Sequence, residues 1–188
     1  MCKWEMVRLG DVCEVINGYA FESTKFNSDG KGVPIIRIRD IVRGYTETFT
    51  TESFDDKYLV HIDDLLIGMD GEFNIQKWKS TNALLNQRVC RLKENSSFIN
   101  RNYLFYSLPS KLKEIEAVTS FVTVKHLSSK KIENIAISLP PLHVQQKIAS
   151  ILDYTNALIE KRKAQIAKLD LLVKSQFIDN PWSLGGND

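Results

Sequence analysis

Leu139-Pro140-Pro141-Leu142-His143-Val144-Gln145-Gln146-Lys147-Ile148 divides the chain into two parts of different character. From Leu142 to Phe177 there is no Gly or Pro, and Asp179-Asn180-Pro181 supplies a stop. Pro141 fits a first helical turn, where its missing N–H costs nothing. A helix over these 36 residues would run for roughly 54 Å, far more than a domain of this size needs for its own core. Apolar residues recur along it at Ile148, Ile151, Leu152, Leu158, Ile159, Ile166, Leu169, Leu172 and Val173. With a-type positions at 148, 155, 162, 169 and 176, Thr155 and Arg162 interrupt the register, while Ile151, Leu158 and Leu172 sit at d. Lys147, Asp153, Glu160, Lys161, Lys163, Lys168, Asp170 and Lys174 fall on the opposite face. Exposed Leu and Ile side chains cost on the order of 1.5–3 kcal/mol each relative to burial. The chain offers no second long helix, so the stripe is expected to meet another chain, most simply a second copy. The alternative is a helix folded back on its own domain.

On the other side of Pro140, short apolar runs alternate with turn residues. Segments 7–9, 12–16, 34–38, 65–69, 87–92 and 132–139 read as strands, several of them rich in β-branched residues. Asn100 and Ser110 each precede a helical run and can cap it, which predicts two short helices between 100 and 118. Leu104, Leu108, Leu112 and Ile115 would face the core. The expected fold is α+β: one domain with a mixed or antiparallel sheet and short helices, followed by one long C-terminal helix. The expected divisions are this α+β domain at 1–140, a dimerisation helix at 141–178 and a tail at 179–188.

The chain has 188 residues, of which 43% are hydrophobic and 26% charged, which excludes disordered and collagen-like classes. No apolar run approaches the ~20 residues of a membrane span, and the N-terminus has no secretory pattern. Cys2, Cys13 and Cys90 form no CxxC, and His61, His126 and His143 stand far apart. These features predict a reduced, cytoplasmic, metal-free protein.

Net charge is only +2, but its distribution is uneven. Residues 46–72 hold one lysine against eight acids, residues 74–101 six bases against Glu94 alone, and residues 111–131 five lysines against two acids. Basic segments beside an acidic one can orient a polyanion, or can cancel in three dimensions as solvated faces. No phosphate-binding loop, nucleophile elbow or metal-protease pattern occurs, and the pairs Asp55-Asp56 and Asp63-Asp64 fit turns better than a metal centre. Arg37-Ile38-Arg39-Asp40 alternates as an exposed strand does. The loop Gly68-Met69-Asp70-Gly71-Glu72-Phe73-Asn74 leads into Lys77-Trp78-Lys79. Its glycines allow close backbone approach, its polar side chains can read base edges and its lysines can neutralise phosphate. A plain hairpin turn would have the same composition.

Several segments in order carry a resemblance. Trp4-x-x-Val7-x-Leu9-Gly10-Asp11-Val12 and Gly18-Tyr19-Ala20-Phe21 open the chain, followed by Ile36-Arg37-Ile38-Arg39-Asp40-Ile41 and Asp64-Leu65-Leu66-Ile67-Gly68-Met69-Asp70-Gly71. Asn86-Gln87-Arg88-Val89, Val124-Lys125-His126-Leu127 and Leu139-Pro140-Pro141-Leu142-x-x-Gln145-x-x-Ile148 complete the series. This order resembles the specificity subunit of type I restriction–modification enzymes, in a half-length form. The resemblance implies a non-catalytic DNA-binding subunit that reads one half of a split target in double-stranded DNA. It implies methyltransferase subunits, and a restriction subunit, as further partners. The chain itself would bind no cofactor, S-adenosylmethionine and the ATP and Mg²⁺ of restriction belonging to the complex. With one recognition domain in place of two, the missing half would come from homodimerisation.

By position, the resemblance implies DNA-binding residues at Gly68, Asp70, Gly71, Glu72, Asn74, Lys77 and Lys79. Arg39, Arg43 and Tyr45 would contribute from the loop after the third strand, and Ser120, Thr123 and Lys125 from the segment before the last. Tyr19, Phe21, Phe73 and Trp78 read as supports more readily than as stacking groups. Ile148, Ile151, Leu152, Leu158, Ile159, Ile166, Leu169, Leu172 and Val173 would form the dimer interface. Two other readings stay open, a protein-interaction scaffold dimerised by its helix and an inactive truncated fragment.

Overall fold

The computed structural model describes residues 4–119 and 125–178. In chain order its main elements are β1 (Met6–Arg8), α1 (Leu9–Val12), β2 (Cys13–Asn17), β3 (Phe26–Asn27), β4 (Val33–Ile36), α2 (Ile38–Arg43) and β5 (Phe49–Thr50). There follow β6 (Leu59–Val60), β7 (Leu65–Gly68), β8 (Ile75–Lys77), β9 (Ala83–Leu85), β10 (Val89–Glu94), α3 (Arg101–Val118), α4 (Ser129–Glu133), β11 (Ala136–Ser138) and α5 (Leu142–Ile178). This is a mixed α+β fold with one long C-terminal helix. The chain divides into two compact units, 1–146 and 147–188.

Within the first unit, β2-β10-β7-β8 form an antiparallel sheet and β3-β5-β4-β9-β6 a second one, whose β4–β9 pair is parallel. β1 pairs only with β11, setting Val7 opposite Ile137. Leu65, Leu66 and Ile67 are wholly buried because β7 lies between β10 and β8. α2 packs against β7 and β8, and α3 packs against β8. Ile36, Ile41, Leu66, Trp78, Leu85 and Val89 belong to one buried core cluster, and Phe21, Ile35 and Leu84 form another. The indole N–H of Trp78 donates to the carbonyl of Thr81 at 2.8 Å, which lets this large ring be buried without an unpaired donor.

Three expected elements take a different form. The run 34–38 is not one strand: β4 ends at Ile36 and a helix begins at Ile38. Asp40, the third helical residue, accepts the backbone N–H of Arg37 at 2.9 Å, so the alternation of Arg37-Ile38-Arg39-Asp40 is a helix start. Between 100 and 118 there is one helix with Pro109 inside it, so Ser110 caps nothing. Asn100 does cap, accepting the N–H of Tyr103 at 3.0 Å. Leu104, Leu108 and Leu112 lie on one wholly buried stripe that continues past Pro109, which is exposed. The stripe outweighs the single hydrogen bond Pro109 forgoes. The run 132–139 is a helix end followed by β11, because Ser128 accepts the N–H of Lys131 and starts α4 three residues earlier.

Within the second unit the helix is continuous. Its apolar side chains Ile151, Leu152, Leu158, Ile159, Ile166, Leu169, Leu172 and Val173 are all exposed, and Ile148 is half-buried.

Candidate nucleic-acid interface

α2 sets the first group of candidate residues. Gly44 ends this helix in the left-handed conformation, φ +77°, and its N–H donates to Asp40 at 2.9 Å. A Cβ on Gly44 would come 3.3 Å from the side chain of Lys79. The turn carrying Arg43 and Tyr45 therefore lies against Lys79, and all three side chains are exposed. Arg39, also exposed, pairs with Asp40 at 3.9 Å. Four sequence-selected residues from two segments are thereby gathered, three of them cationic.

The 68–74 loop is tied down more than its composition suggests. Gly68 is buried in β7, where an added Cβ would be in ordinary contact with Ile38, Ile41 and Asn74. Phe73 is buried, and its N–H donates to Glu116 Oε2 at 3.1 Å. Asn74 donates its amide to the carbonyl of Glu72 at 3.1 Å. Lys77 Nζ donates to Asn102 Oδ1 at 2.9 Å and sits over the Phe105 ring. Lys125 pairs with Glu116 at 3.5 Å, and its side chain is largely buried. Only Gly71 and Glu72 of this group stand open to solvent, Gly71 at φ +73° with nothing near its missing side chain. Ser120 and Thr123 lie outside the described residues. Of the four aromatics, Phe21, Phe73 and Trp78 are core, whereas Tyr19 is 44% exposed and edge-on to Phe21.

Asp70 belongs to a network that motif reading passed over. One carboxylate oxygen is bonded to Arg88, and the other lies 2.7 Å from Nδ1 of His126. Burial alone would push this carboxyl up, but the hydrogen bonds from His126 and Arg88, reinforced by the arginine charge, hold it below the usual carboxylate range. Its two partners, Arg88 and His126, line an open cleft of about 530 Å³ together with Asn17, Gly18, Met69, Gln87, Ser128 and Ser129. Arg88 and His126 both fall within the segments that carried the resemblance. Neither was separable by sequence spacing, because 56 residues divide Asp70 from His126.

Chemistry elsewhere is sparse. Burial pushes the Cys13 and Cys90 thiols up to about 12, so neither is a nucleophile near neutrality. Among the described residues no three His, Cys, Asp or Glu side chains gather as metal ligands. Among them, too, no helix is long and apolar enough to cross a membrane.

The described residues thus make up an α+β unit with a polar cleft and a basic turn, and a long amphipathic helix. The family defined as the type I restriction modification DNA specificity domain matches residues 1–169, and the chain belongs to it. The chain is 40% identical to the EcoBI specificity subunit of Escherichia coli over 91% of its length, covering 36% of that protein. It is 27% identical to the MjaVIII specificity subunit of Methanocaldococcus jannaschii, over 93% of this chain and 41% of that one. The chain thus spans about two-fifths of each of these two relatives. Among solved structures, the fold matches a chain of a type I R-M system described for its assembly and conformational transition. There the TM-score is 0.74 at 22% identity, covering 94% of this chain and 44% of that one. It also matches the HsdS subunit of Thermoanaerobacter tengcongensis, with TM-score 0.67 at 22% identity, over 87% of this chain and 40% of that chain.

Proposed function

We propose that this chain is a non-catalytic specificity subunit that reads one half of a bipartite DNA target and completes the reader by pairing with a second copy. Methyltransferase and restriction subunits would dock on the pair in the prokaryotic cytoplasm. S-adenosylmethionine, ATP and Mg²⁺ would be bound by those subunits. The observation that carries the DNA reading is the family match over residues 1–169. The cluster of Arg39, Arg43, Tyr45 and Lys79 supports it, since exposed cations on a turn suit phosphate contacts.

Pairing is supported by the helix. Leu152, Ile159, Ile166 and Val173 repeat every seven residues without interruption, flanked by Ile151, Leu158 and Leu172. All seven are exposed in the single chain. Such a seam is buried by a second helix of the same kind. A two-fold pair would present two identical readers and favour an interrupted, inverted-repeat target.

A mobility-shift titration of the full chain on duplex DNA tests the first part, with affinity expected to fall steeply as salt rises. Absence of any shift at low salt contradicts it and leaves the protein-scaffold reading. Light scattering tests the second part: about twice the 21.5 kDa chain mass is expected, reduced to the single-chain mass by Leu158→Asp with Leu169→Asp.

A further inference from the structure

Arg88 combines three features that a purely structural residue does not need. Its φ of +74° places a long side chain in the left-handed region, where asparagine or glycine is the ordinary occupant. The turn around it is locked. Its carbonyl accepts the N–H of Met69 at 2.9 Å, Gln87 N–H donates to Tyr19 at 2.8 Å, and Gly18 N–H donates to Val89 at 3.0 Å. Its side chain is 58% exposed yet bonded through Nη1 to Asp70, whose own side chain is only 12% exposed and is held from the other side by His126.

A carboxylate holding one nitrogen of a guanidinium, on a locked turn, narrows where the group can point. Among the described residues the Arg88 side chain makes no other hydrogen bond, which leaves Nε and Nη2 as two adjacent donors that Asp70 does not use. In the major groove guanine offers two adjacent acceptors, O6 and N7. Adenine offers one acceptor and one donor, thymine one acceptor and a methyl group, and cytosine a donor. Only guanine matches two adjacent donors. The cleft around Arg88 adds Asn17, Gln87, Ser128 and Ser129, which suit neighbouring groups on the same DNA edge. A simple surface ion pair would require neither the left-handed backbone nor the His126 buttress.

We propose that Arg88 is the guanine-reading residue of this module, with Asp70 and His126 as its positioning residues. The proposal rests on the DNA-recognition reading above. Its test begins by enriching duplexes from a randomised library on the full wild-type chain. Anisotropy titrations then follow on the enriched duplex and on versions with each guanine replaced in turn.

Wild type is expected to lose affinity on the order of ten- to a hundredfold at one guanine of each half-site. In Arg88→Gly, whose glycine fits the backbone angle, that penalty should shrink to about twofold or less at this base pair, with the other penalties kept. Arg88→Lys keeps the charge but lacks the fork, and should behave likewise. Asp70→Asn should reduce the same penalty only. The proposal is overturned if these variants retain every guanine penalty. It is also overturned if they weaken all duplexes alike with a shallower salt dependence, the mark of a phosphate contact. Failure of the wild-type chain to enrich any sequence would instead remove the DNA-recognition reading, and this proposal with it.

Discussion

The side-chain amide of Gln145 donates to the carbonyl of Pro140 at 2.7 Å, clamping the start of the long helix onto the diproline that precedes it. The same amide donates to Phe98 at 3.0 Å, and its oxygen accepts the N–H of Asn100 at 2.8 Å. Gln145 is wholly buried. The Leu-Pro-Pro-Leu-x-x-Gln signature is thus a joint: one glutamine satisfies the entry to α5 and the entry to α3 together. Gln145→Leu should cost about 3 kcal/mol, because it strands the buried carbonyl of Pro140 and the partly buried backbone groups of Phe98 and Asn100. Urea denaturation measures this, and a loss below about 1 kcal/mol would contradict the role.

Asp70 should make stability depend on acid. Its carboxyl lies below the ordinary range in the folded chain, so the folded state holds its charge to lower pH than the unfolded state does. The contribution is present above about pH 4 and fades as pH falls through the folded-state value. Denaturation of wild type and Asp70→Asn across pH should show a stability gap at neutral pH that closes below pH 4. A gap that widens on acidification would contradict the pairing with Arg88 and His126.

Two glycines should respond differently to alanine. A Cβ on Gly18 would fall 2.0 Å from the backbone oxygen of Asn86, so Gly18→Ala forces the locked turn beneath Arg88 apart and should cost about 3 kcal/mol or more. Gly71 has open space and only its φ of +73° to oppose a side chain, so Gly71→Ala should cost about 1–2 kcal/mol. Thermal melting of both variants checks the order, and Gly71→Ala being the more damaging would contradict it.

Sequence patterning reached the elements with long apolar runs and failed where tertiary contacts decide. β2, β7, β10 and α5 follow their sequence signals closely, because each carries enough apolar residues to reveal a period. β3, β5 and β6 contain two residues each, too few for any periodicity. Ser110 reads as the cap of a second helix because a serine ordinarily starts one, yet the buried Leu104, Leu108 and Leu112 row carries a single helix through. In the candidate interface, Arg39, Arg43, Tyr45 and Lys79 are drawn together as two loops meeting at Gly44. Lys77 and Lys125 are instead engaged by Asn102, Phe105 and Glu116, contacts made by α3 from far along the chain. The Asp70–Arg88–His126 network joins three loops that no local pattern links.

That division among the lysines has a measurable consequence. Arg43→Ala and Lys79→Ala should each weaken binding to all duplexes and lower the log–log salt slope by about 1. Lys77→Ala should leave the slope nearly unchanged and lower the melting temperature instead, since its ammonium is spent on Asn102 and Phe105. Binding titrations at several salt concentrations, with melting curves on the same preparations, separate the two effects. Equal slope changes in all three variants would contradict the assignment.

The most direct test of recognition by a symmetric pair is the sequence of the DNA that the full chain enriches from a randomised duplex library. The expected result is an interrupted inverted repeat, two copies of one short half-site at fixed spacing. Enrichment of a single half-site without its mirror image, or of no sequence at all, would contradict it.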